Sequence, residues 1–193
     1  MNLELFNELM KIRPSQHLTE FRTYLELCEL YLKRMKIKNP LVVELGIYNN
    51  AQKKFYKQLL NAEHIGVDAS NKRSEPDILG NTHDTKTLKA LKEKLNGRPI
   101  DILFIDAGHE YEDIKKDYKM YAPLCSGIVA LHDTELRRNT SRTSAQVWRF
   151  WDELKEKGRK AIDGHEDYLF VSLHQRHYEN WNKNVGLGII IKQ

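Results

Sequence analysis

Two carboxylates and two histidines follow apolar segments in the middle of the chain. Asp106 comes directly after IDILFI, with His109 three residues further on, and the pair His132-Asp133 comes directly after GIVAL. Carboxylate oxygens are the ligands that Mg²⁺ prefers in proteins, and a bound cation lowers the pKa of a hydroxyl group that it holds. Histidine titrates near neutrality, so it can also accept such a proton directly. These residue types predict a site that activates a hydroxyl group.

The roles within this group have alternatives. His109 is the first candidate for the base and His132 the second, whereas the predicted metal ligands are Asp106, His132 and Asp133. Imidazole is a poorer ligand for Mg²⁺ than for Zn, Mn or Fe, so the sequence leaves open which divalent cation binds, and whether one binds at all. In a purely structural interpretation, His109 opens a helix and Asp133 caps the turn that follows it.

A second group of residues has the pattern of a nucleoside site. Gly46 ends the apolar segment LVVEL, and Asp68 ends the next one, HIGVD. A glycine lets a ligand approach backbone N–H groups, a helix N-terminus favours an anion such as a carboxylate, and an acid can accept hydrogen bonds from both hydroxyls of a ribose. Each residue alone is equally compatible with a turn or a cap. Their place on successive strands favours the nucleoside interpretation.

The loops that bind longer phosphate chains are absent from the sequence. It contains neither a G-x-G-x-x-G turn nor a GxxxxGK[ST] loop. A nucleoside without a pyrophosphate or triphosphate, such as S-adenosylmethionine, is therefore favoured as the cofactor.

Strands and helices alternate from Leu41 onwards, which is typical of an α/β domain with a mainly parallel sheet. Strands are predicted at 41–45, 64–68, 77–79, 100–106, 127–133, 168–173 and 186–192. Helices are predicted at 51–61, 84–95 and 111–124, and from near Thr143 to Gly158. We expect a doubly wound, Rossmann-like sheet of seven strands, mainly parallel, with an antiparallel edge strand from the last pair. Ligands of such sheets bind beyond the carboxyl ends of the parallel strands, where both groups of residues lie.

The start of the chain has a different pattern. Residues 1–40 are predicted to form a helical extension before the α/β domain at 41–193. Apolar residues recur at three- and four-residue spacing from Leu3 to Met10 and from Phe21 to Met35. Such helices could cover the substrate pocket or form the face of a homodimer, and the pattern does not choose between the two.

The composition is that of a soluble globular protein. The chain has 193 residues, of which 40% are hydrophobic and 30% charged, with a net charge of +4. No apolar run is long enough for a transmembrane helix and the first residues lack an export signal, so we expect a cytoplasmic protein. Cys28 and Cys125 are the only cysteines, which excludes a disulfide framework and a cysteine-only zinc site.

The small positive charge permits an anionic partner, but it is not clustered into the stripe that is typical of nucleic-acid binding. Arg137, Arg138 and Arg142 follow GIVALHD and could clamp an anionic substrate. A charged surface loop is the simpler interpretation of these arginines.

Several segments resemble one enzyme family in their order and spacing. They are VVELGIYNNAQ, IGVDAS, GNTHDTKTLKAL, DILFIDAGHEYEDIKKDY and GIVALHD. This order is similar to that of class I S-adenosylmethionine-dependent methyltransferases, above all the small-molecule O-methyltransferases of the catechol type and the group with cephalosporin-hydroxylase-like and antibiotic-sugar enzymes. The run FID-x-x-H-x-YE, followed by a strand ending in HD, is the most specific part of the resemblance.

The resemblance implies a division of roles. The first-strand segment holds the methionine part of the cofactor, an acid at the position of Asp68 holds the ribose, and the Gly80-Asn81-Thr82 segment flanks the adenine. Metal-dependent relatives carry a ligand at the position of Asp106 and an acidic or amide pair where this chain has His132-Asp133. The catechol-type enzymes have a lysine base at the offset of His109. The predicted cofactor-binding residues are Glu44, Gly46, Tyr48, Asp68, Ala69, Asn81, Thr82 and Asp106.

We therefore expect an S-adenosylmethionine-dependent methyltransferase that acts on a hydroxyl oxygen of a small molecule or sugar, either with or without a divalent cation. The alternative is a methyltransferase fold that has lost turnover and serves as a binding or assembly module, because Asn50 and Gln52 replace residues usual in the family's cofactor turn. A metal hydrolase is a third hypothesis. A nucleic-acid amino-methyltransferase is disfavoured, since the residues from Asp106 to His109 lack the Asn/Asp-Pro-Pro-aromatic turn.

Overall fold

The structure is a computed structural model that describes residues 1–136, 138, 145–160, 168–174 and 185–192, with the backbone alone for Arg159 and Lys160. The strands are β1 (Leu41–Leu45), β2 (Glu63–Asp68), β3 (Ile78–Leu79), β4 (Ile100–Ile105), β5 (Cys125–His132), β6 (Tyr168–Leu173) and β7 (Leu187–Lys192). The helices are α1 (Leu3–Met10), α2 (Leu18–Arg34), α3 (Gln52–Leu59), α4 (Thr85–Leu95), α5 (Tyr111–Tyr121) and α6 (Val147–Lys160), and a 3₁₀ turn at Ala122–Leu124 links α5 to β5. None of these described helices is long and apolar enough to cross a membrane.

The seven strands form one sheet in the order β3-β2-β1-β4-β5-β7-β6. β1 pairs in parallel with both β2 and β4, and β4 pairs in parallel with β5. β7 runs antiparallel to both of its neighbours, β5 and β6. The predicted doubly wound, mainly parallel sheet is confirmed. The reversed strand, which the sequence pattern placed at the edge, lies between β5 and the edge strand β6.

Both faces of the sheet are covered by helices, so apolar residues of each strand alternate between two cores. On β1, Val43 and Leu45 face the core that α4, α5 and α6 complete, whereas Val42 faces the core that α1, α2 and α3 complete. Ile105 and Phe104 of β4 divide between the two cores in the same way. The molecule thus has three layers, with the parallel strands buried in the middle one.

The helices before β1 belong to one of the outer layers. Phe6 on α1 and Phe21 on α2 both pack against Phe55 of α3, with ring centroids 5.8 and 4.9 Å apart. Tyr24 of α2 packs on Phe104 in the sheet, with centroids 5.4 Å apart. Full burial of one such side chain contributes roughly 1.5–3 kcal/mol. This packing fixes the segment between α1 and α2 relative to the strand ends.

The prediction that α6 ends at Gly158 is wrong. The helix continues to Lys160. A Cβ atom at Gly158 would lie 2.9 Å from Cζ of Phe170 on β6. The glycine therefore makes room for a close approach between helix and sheet. The predicted start of this helix near Thr143 lies outside the described residues.

Candidate active site

Four parallel strands end at the same level of the sheet. Leu45 of β1 is aligned with Val67 of β2 and with Ile105 of β4, and Ile105 is aligned in turn with Leu131 of β5. The chain order reverses at this place, because β1 leads to β2 on one side and lies beside β4 on the other. The residues that come next on the four strands are Gly46, Asp68, Asp106 and His132.

A cleft of about 620 Å³ opens at this edge of the sheet, a volume suited to a small-molecule ligand. Its lining includes ten of the predicted site residues: Gly46, Tyr48, Asp68, Ala69, Asn81, Thr82, Asp106, His109, His132 and Asp133. The lining also includes five residues that were not predicted: Ser15, His83, Ala107, Gly108 and Asp113. Ala107 and Gly108 belong to the FID-x-x-H run, which could have indicated them. Ser15 comes from the segment between α1 and α2, which no strand-end pattern indicates.

Gly46 lies where the end of β1 closely approaches the end of β4. Its φ is +81°, a backbone conformation that residues with a Cβ atom rarely adopt. A Cβ atom here would lie 2.6 Å from the carbonyl carbon of Asp106 and 2.8 Å from Cα of Ala107. Both the conformation and the close approach of the β4 end therefore require glycine at this position.

Asp68 organises the turn that follows β1. Its Oδ2 atom accepts hydrogen bonds from the backbone N–H groups of Ile47, at 3.0 Å, and Tyr48, at 3.2 Å. Its Oδ1 atom accepts one from the N–H of Ser70, at 2.8 Å. A carboxylate has about four lone-pair positions, so one position on Oδ1 is left for a ligand hydroxyl. The sequence offered a choice between a cap and a ligand-binding acid, and the geometry allows both roles together.

Glu44 lies outside the lining of the cleft, although the resemblance suggested a cofactor contact. Its side chain is 1% exposed, with Oε2 at 2.8 Å from Nε2 of His64. Its Oε1 atom accepts a hydrogen bond of 2.7 Å from Nε2 of Gln52. Burial raises the pKa of Glu44, and the contact with His64 opposes that shift. Glu44 therefore contacts Gln52 and His64 inside the core and does not face the cleft.

The turn between β1 and α3 keeps the backbone form that a glycine would give it. Asn50 has a φ of +56°, and asparagine tolerates this left-handed conformation better than most residues. Gln52 is 7% exposed, and its side chain donates a hydrogen bond to Glu44 in the core. Asn50 and Gln52 are not among the residues that line the cleft. The two departures from the family pattern therefore leave the cleft open.

His132 links the carboxylates at the ends of β4 and β5. Its Nδ1 atom lies 3.1 Å from Oδ1 of Asp106 and 3.2 Å from Oδ1 of Asp133. The other oxygen of Asp133, Oδ2, lies 3.0 Å from Nδ1 of His109. Asp133 has a φ of +63°, and such conformations in residues other than glycine concentrate at functional sites. The four residues thus form one connected polar cluster on the cleft wall.

The carboxylates favour the protonated form of both histidines. Burial alone would lower the pKa of His132, but the charges of Asp106 and Asp133 outweigh it and raise that pKa to about 9. The hydrogen bond with Asp133 raises the pKa of His109, and partial burial opposes the shift. Without another cation, a protonated imidazole balances the negative charge of the cluster.

The donor atoms of the cluster fit a divalent cation. Asp106, His109 and Asp133 can each offer one ligand atom, and the three atoms lie within 4.8 Å of one another. Two carboxylate oxygens and one imidazole suit Mn²⁺, Fe²⁺ or Zn²⁺ as well as Mg²⁺. The structure groups His109 with the carboxylates instead of the predicted ligand His132, whose Nδ1 atom already contacts both acids.

Comparison with solved structures finds the same fold. MycE, a methyltransferase of the mycinamycin biosynthetic pathway solved with Mg and SAH, has a TM-score of 0.63 and 14% identity over 97% of this chain and 54% of its own. The O-methyltransferase TomG from Streptomyces achromogenes, involved in tomaymycin synthesis and solved with SAM, has a TM-score of 0.60 and 13% identity over 88% of this chain and 79% of its own. An O-methyltransferase from Bacillus cereus, solved with SAH, has a TM-score of 0.58 and 14% identity over 97% of this chain and 90% of its own.

A sequence relative covers a shorter stretch. The uncharacterized protein y4gI of Sinorhizobium fredii (strain NBRC 101917 / NGR234) is 32% identical over 71 residues, which are 36% of this chain and 7% of that protein. The chain thus corresponds to a small part of this relative and to about half of MycE.

The family model described as "Methyltransferase domain" matches residues 18–134. This range is more than half of the 193-residue chain, and it extends from the start of α2 to the pair His132-Asp133 at the cleft. The chain therefore belongs to the methyltransferase-domain family.

Proposed function

We propose that the protein is an S-adenosylmethionine-dependent methyltransferase that transfers the methyl group to a hydroxyl oxygen of a small molecule. One observation carries the proposal: a single cleft of about 620 Å³ has a nucleoside-type turn, with Gly46 and Asp68, on one side and the cluster of Asp106, His109 and Asp133 on the other. The methyl donor and an acceptor hydroxyl can therefore meet between the two sides.

The cofactor occupies the side of β1, β2 and β3 in this proposal. Asp68 accepts a hydrogen bond from the ribose while it holds the turn, and Gly46 allows close approach of the cofactor to the backbone. Asn81 and Thr82, which follow β3 and line the cleft, lie beside the base. The absence of a phosphate-binding loop from the sequence agrees with a nucleoside that carries no phosphate.

The acceptor occupies the side of β4 and β5. His109 takes the hydroxyl proton as the acceptor oxygen forms its bond to the methyl carbon, while the carbon–sulfur bond breaks and leaves a neutral thioether. In the neutral form of His109, Nδ1–H faces Asp133 at 3.0 Å, so Nε2 is the nitrogen that accepts that proton. If Asp106, His109 and Asp133 instead held a divalent cation, His109 would be a ligand and not the base, and the cation would supply a Lewis acid that lowers the pKa of the hydroxyl.

The charges of the cleft favour a neutral or cationic acceptor. The described lining contains four carboxylates and three histidines, and no lysine or arginine among those residues faces them. A phosphorylated or carboxylated acceptor would find no lysine or arginine among these described lining residues to pair with. Arg137 and Arg142, which could have formed a clamp with Arg138, lie outside the described residues, and Arg138 is paired with Glu135 and Asp152. A hydroxylated small molecule or sugar without acidic groups fits this lining.

The alternative of a binding module without turnover is not favoured. Its motivation was the departure at Asn50 and Gln52, and the turn keeps its left-handed backbone at Asn50 while Gln52 points to Glu44. The residues that could activate a hydroxyl group also remain together at the cleft.

Isothermal titration with S-adenosylhomocysteine tests the proposal. We expect saturable one-to-one binding by the wild type and at least about tenfold weaker binding by Gly46→Ala, because the new methyl group displaces the end of β4. Gly97→Ala is the matched control, since Gly97 also has a positive φ, +79°, but apart from its chain neighbours no described residue has an atom within 4 Å of the added Cβ.

Circular dichroism establishes that both glycine variants are folded. If the wild type releases no heat with either S-adenosylmethionine or S-adenosylhomocysteine at high micromolar concentration, the methyltransferase proposal is wrong. The hypothesis of a binding module without turnover then replaces it.

A further inference from the structure

A second groove lies at the other end of the sheet from the candidate active site. The segments 36–40 and 60–62 lead into the neighbouring parallel strands β1 and β2, whose first residues, Leu41 and Glu63, are paired. Both segments therefore lie at the amino ends of these strands. The groove between them and the end of α2 has a volume of about 470 Å³, which is in the range of small-molecule sites. Its described lining shares no residue with the cleft.

The floor of this groove is apolar and largely fixed by packing. Leu32 and Leu60 are 5% and 7% exposed, and Ile37 and Leu59 are half-buried against the same core. The N–H of Ile37 donates a hydrogen bond of 2.9 Å to the carbonyl oxygen of Leu32, so the segment after α2 is tied to the helix. A ligand therefore meets a preformed apolar surface, and an apolar chain that lies on it removes further apolar area from water.

Three lysines surround the apolar floor: Lys33, Lys36 and Lys38. Nζ of Lys33 lies 3.0 Å from Oε1 of Glu29, which is the only acidic residue in the described lining. Lys33 also lies in the last turn of α2, where a cation complements the negative end of the helix. Lys36 and Lys38 lie beyond the helix and are exposed, and no carboxylate of the described residues pairs with either of them. The rim therefore carries an excess of positive charge.

We propose that this groove binds a free amphiphile with one apolar chain and an anionic headgroup, such as a long-chain carboxylate. The chain lies on the floor formed by Leu32, Ile37 and Leu59, and the headgroup pairs with Lys36 and Lys38. Charge complementarity selects an anionic headgroup over a cationic one, and the buried apolar area supplies the affinity. Because the floor is concave, a single chain can enter it, whereas a flat membrane surface would reach only the lysines at the rim.

Titration calorimetry with synthetic amphiphiles below their micelle concentrations tests the proposal. Decanesulfonate and decyltrimethylammonium have chains of the same length and headgroups of opposite charge. We expect saturable one-to-one binding of decanesulfonate and at least about tenfold weaker binding of decyltrimethylammonium. Octanesulfonate, which is two methylene groups shorter, should bind about 10- to 20-fold more weakly than decanesulfonate, because each buried methylene group contributes about fourfold in affinity.

Two double variants separate a headgroup site from general attraction to a positively charged protein. Replacing both Lys36→Gln and Lys38→Gln should weaken the binding of decanesulfonate by about 3- to 20-fold, the effect of losing two ion pairs at an exposed rim. The control replaces both Lys92→Gln and Lys94→Gln, which have the same spacing and are exposed on α4, at the opposite face of the sheet. This control should keep the wild-type affinity for decanesulfonate. Circular dichroism and the affinity for S-adenosylhomocysteine, which should be unchanged, establish that both double variants are folded.

Sedimentation with vesicles of phosphatidylcholine and phosphatidylglycerol distinguishes a free amphiphile from a membrane surface. We expect the wild type to stay in the supernatant. Sedimentation with the vesicles that is lost in the variant with Lys36→Gln and Lys38→Gln would overturn the proposal in favour of a membrane-docking surface.

Three calorimetric results would also overturn the proposal. They are no saturable binding of decanesulfonate, equal binding of the two headgroups or of the two chain lengths, and an unchanged affinity in the variant with Lys36→Gln and Lys38→Gln. None of these results affects the methyltransferase proposal, because the groove and the cleft lie at opposite ends of the sheet.

Discussion

The Nδ1 atom of His132 lies 3.1 Å from Oδ1 of Asp106, so the ends of β4 and β5 are joined by a contact between an imidazole and a carboxylate. The same nitrogen lies 3.2 Å from Asp133, and His132 is 6% exposed. One histidine therefore lies between two carboxylates of the candidate metal site, where its positive charge reduces the repulsion between them.

Replacing His132 with asparagine should destabilise the metal-free protein by about 1–3 kcal/mol, because charged hydrogen bonds are lost and two carboxylates then face each other. Mg²⁺ should raise the unfolding temperature of this variant more than that of the wild type, since a bound cation restores the lost charge. Thermal unfolding with chelator and with Mg²⁺ measures both effects. His174→Asn, at an exposed position, is the control, and an equal Mg²⁺ effect in all three proteins would contradict the prediction.

Asp68→Ala should weaken the binding of S-adenosylhomocysteine by about 10- to 100-fold, because it removes a ribose hydrogen bond and the contacts that hold the Ile47-Tyr48 turn. Calorimetry measures the change. Asp77→Ala is the control, since Asp77 also accepts a backbone hydrogen bond, from Gly66 at 2.9 Å, but lies outside the lining of the cleft. Similar losses in both variants would mean that Asp68 acts on the fold alone.

His109→Gln should reduce turnover by about 10²- to 10⁴-fold, the usual contribution of a general base. The affinity for S-adenosylhomocysteine should stay within about threefold of the wild-type value, because His109 lies on the acceptor side. The release of S-adenosylhomocysteine in the presence of an accepted hydroxylated substrate measures the rate. Glu110→Gln changes the exposed neighbour and should leave the rate unaltered. Full activity in His109→Gln would show that His109 is not the base of the reaction.

Asp77 should make the stability of the protein depend on pH in the acid range. Burial opposes its ionisation, but hydrogen bonds from the N–H of Gly66 and from Lys53 outweigh this and lower its pKa. A group whose pKa is lower in the folded state stabilises the fold above its unfolded pKa, about 3.9 for aspartate. That stabilisation is lost as the pH falls through the folded pKa.

The difference in urea midpoint between the wild type and Asp77→Asn should therefore be constant near neutrality and should shrink as the pH falls below about 4. Glu75→Gln, on the same loop and exposed, should show no such difference. A gap between wild type and Asp77→Asn that persists undiminished in acid would refute the assignment.

The order of elements and the residues at the strand ends followed from the sequence. LVVEL, IDILFI and GIVAL are apolar without interruption or nearly so, which is typical of strands covered on both faces. The carboxyl ends of parallel strands lie at the same end of the sheet, so the sequence pattern alone assigns Gly46, Asp68 and Asp106 to that end. The resemblance in the FID-x-x-H run, which the family match supports, gave these residues their chemical meaning.

Contacts between distant elements depended on the tertiary structure. Glu44 lies two residues before Gly46, but its side chain faces the core and pairs with His64. Successive side chains of a strand point to opposite faces of the sheet, and different helices cover the two faces. The sequence of one strand does not show which of its side chains reaches a ligand. His83, Asp113 and Ser15 come from loops and a helix that reach the cleft through packing. The pairing of β7 between β5 and β6 is likewise a long-range choice.

The sequence by itself thus determined the class of fold, the end of the sheet that carries the site and most residues at that end, because strand length, the pattern of apolar residues and turn chemistry are local properties. Only the tertiary structure decided that His132 bridges Asp106 and Asp133, that His109 completes the donor set, and that Glu44 is internal. These facts depend on distances of a few ångströms between side chains from different elements, which the packing of the whole chain fixes.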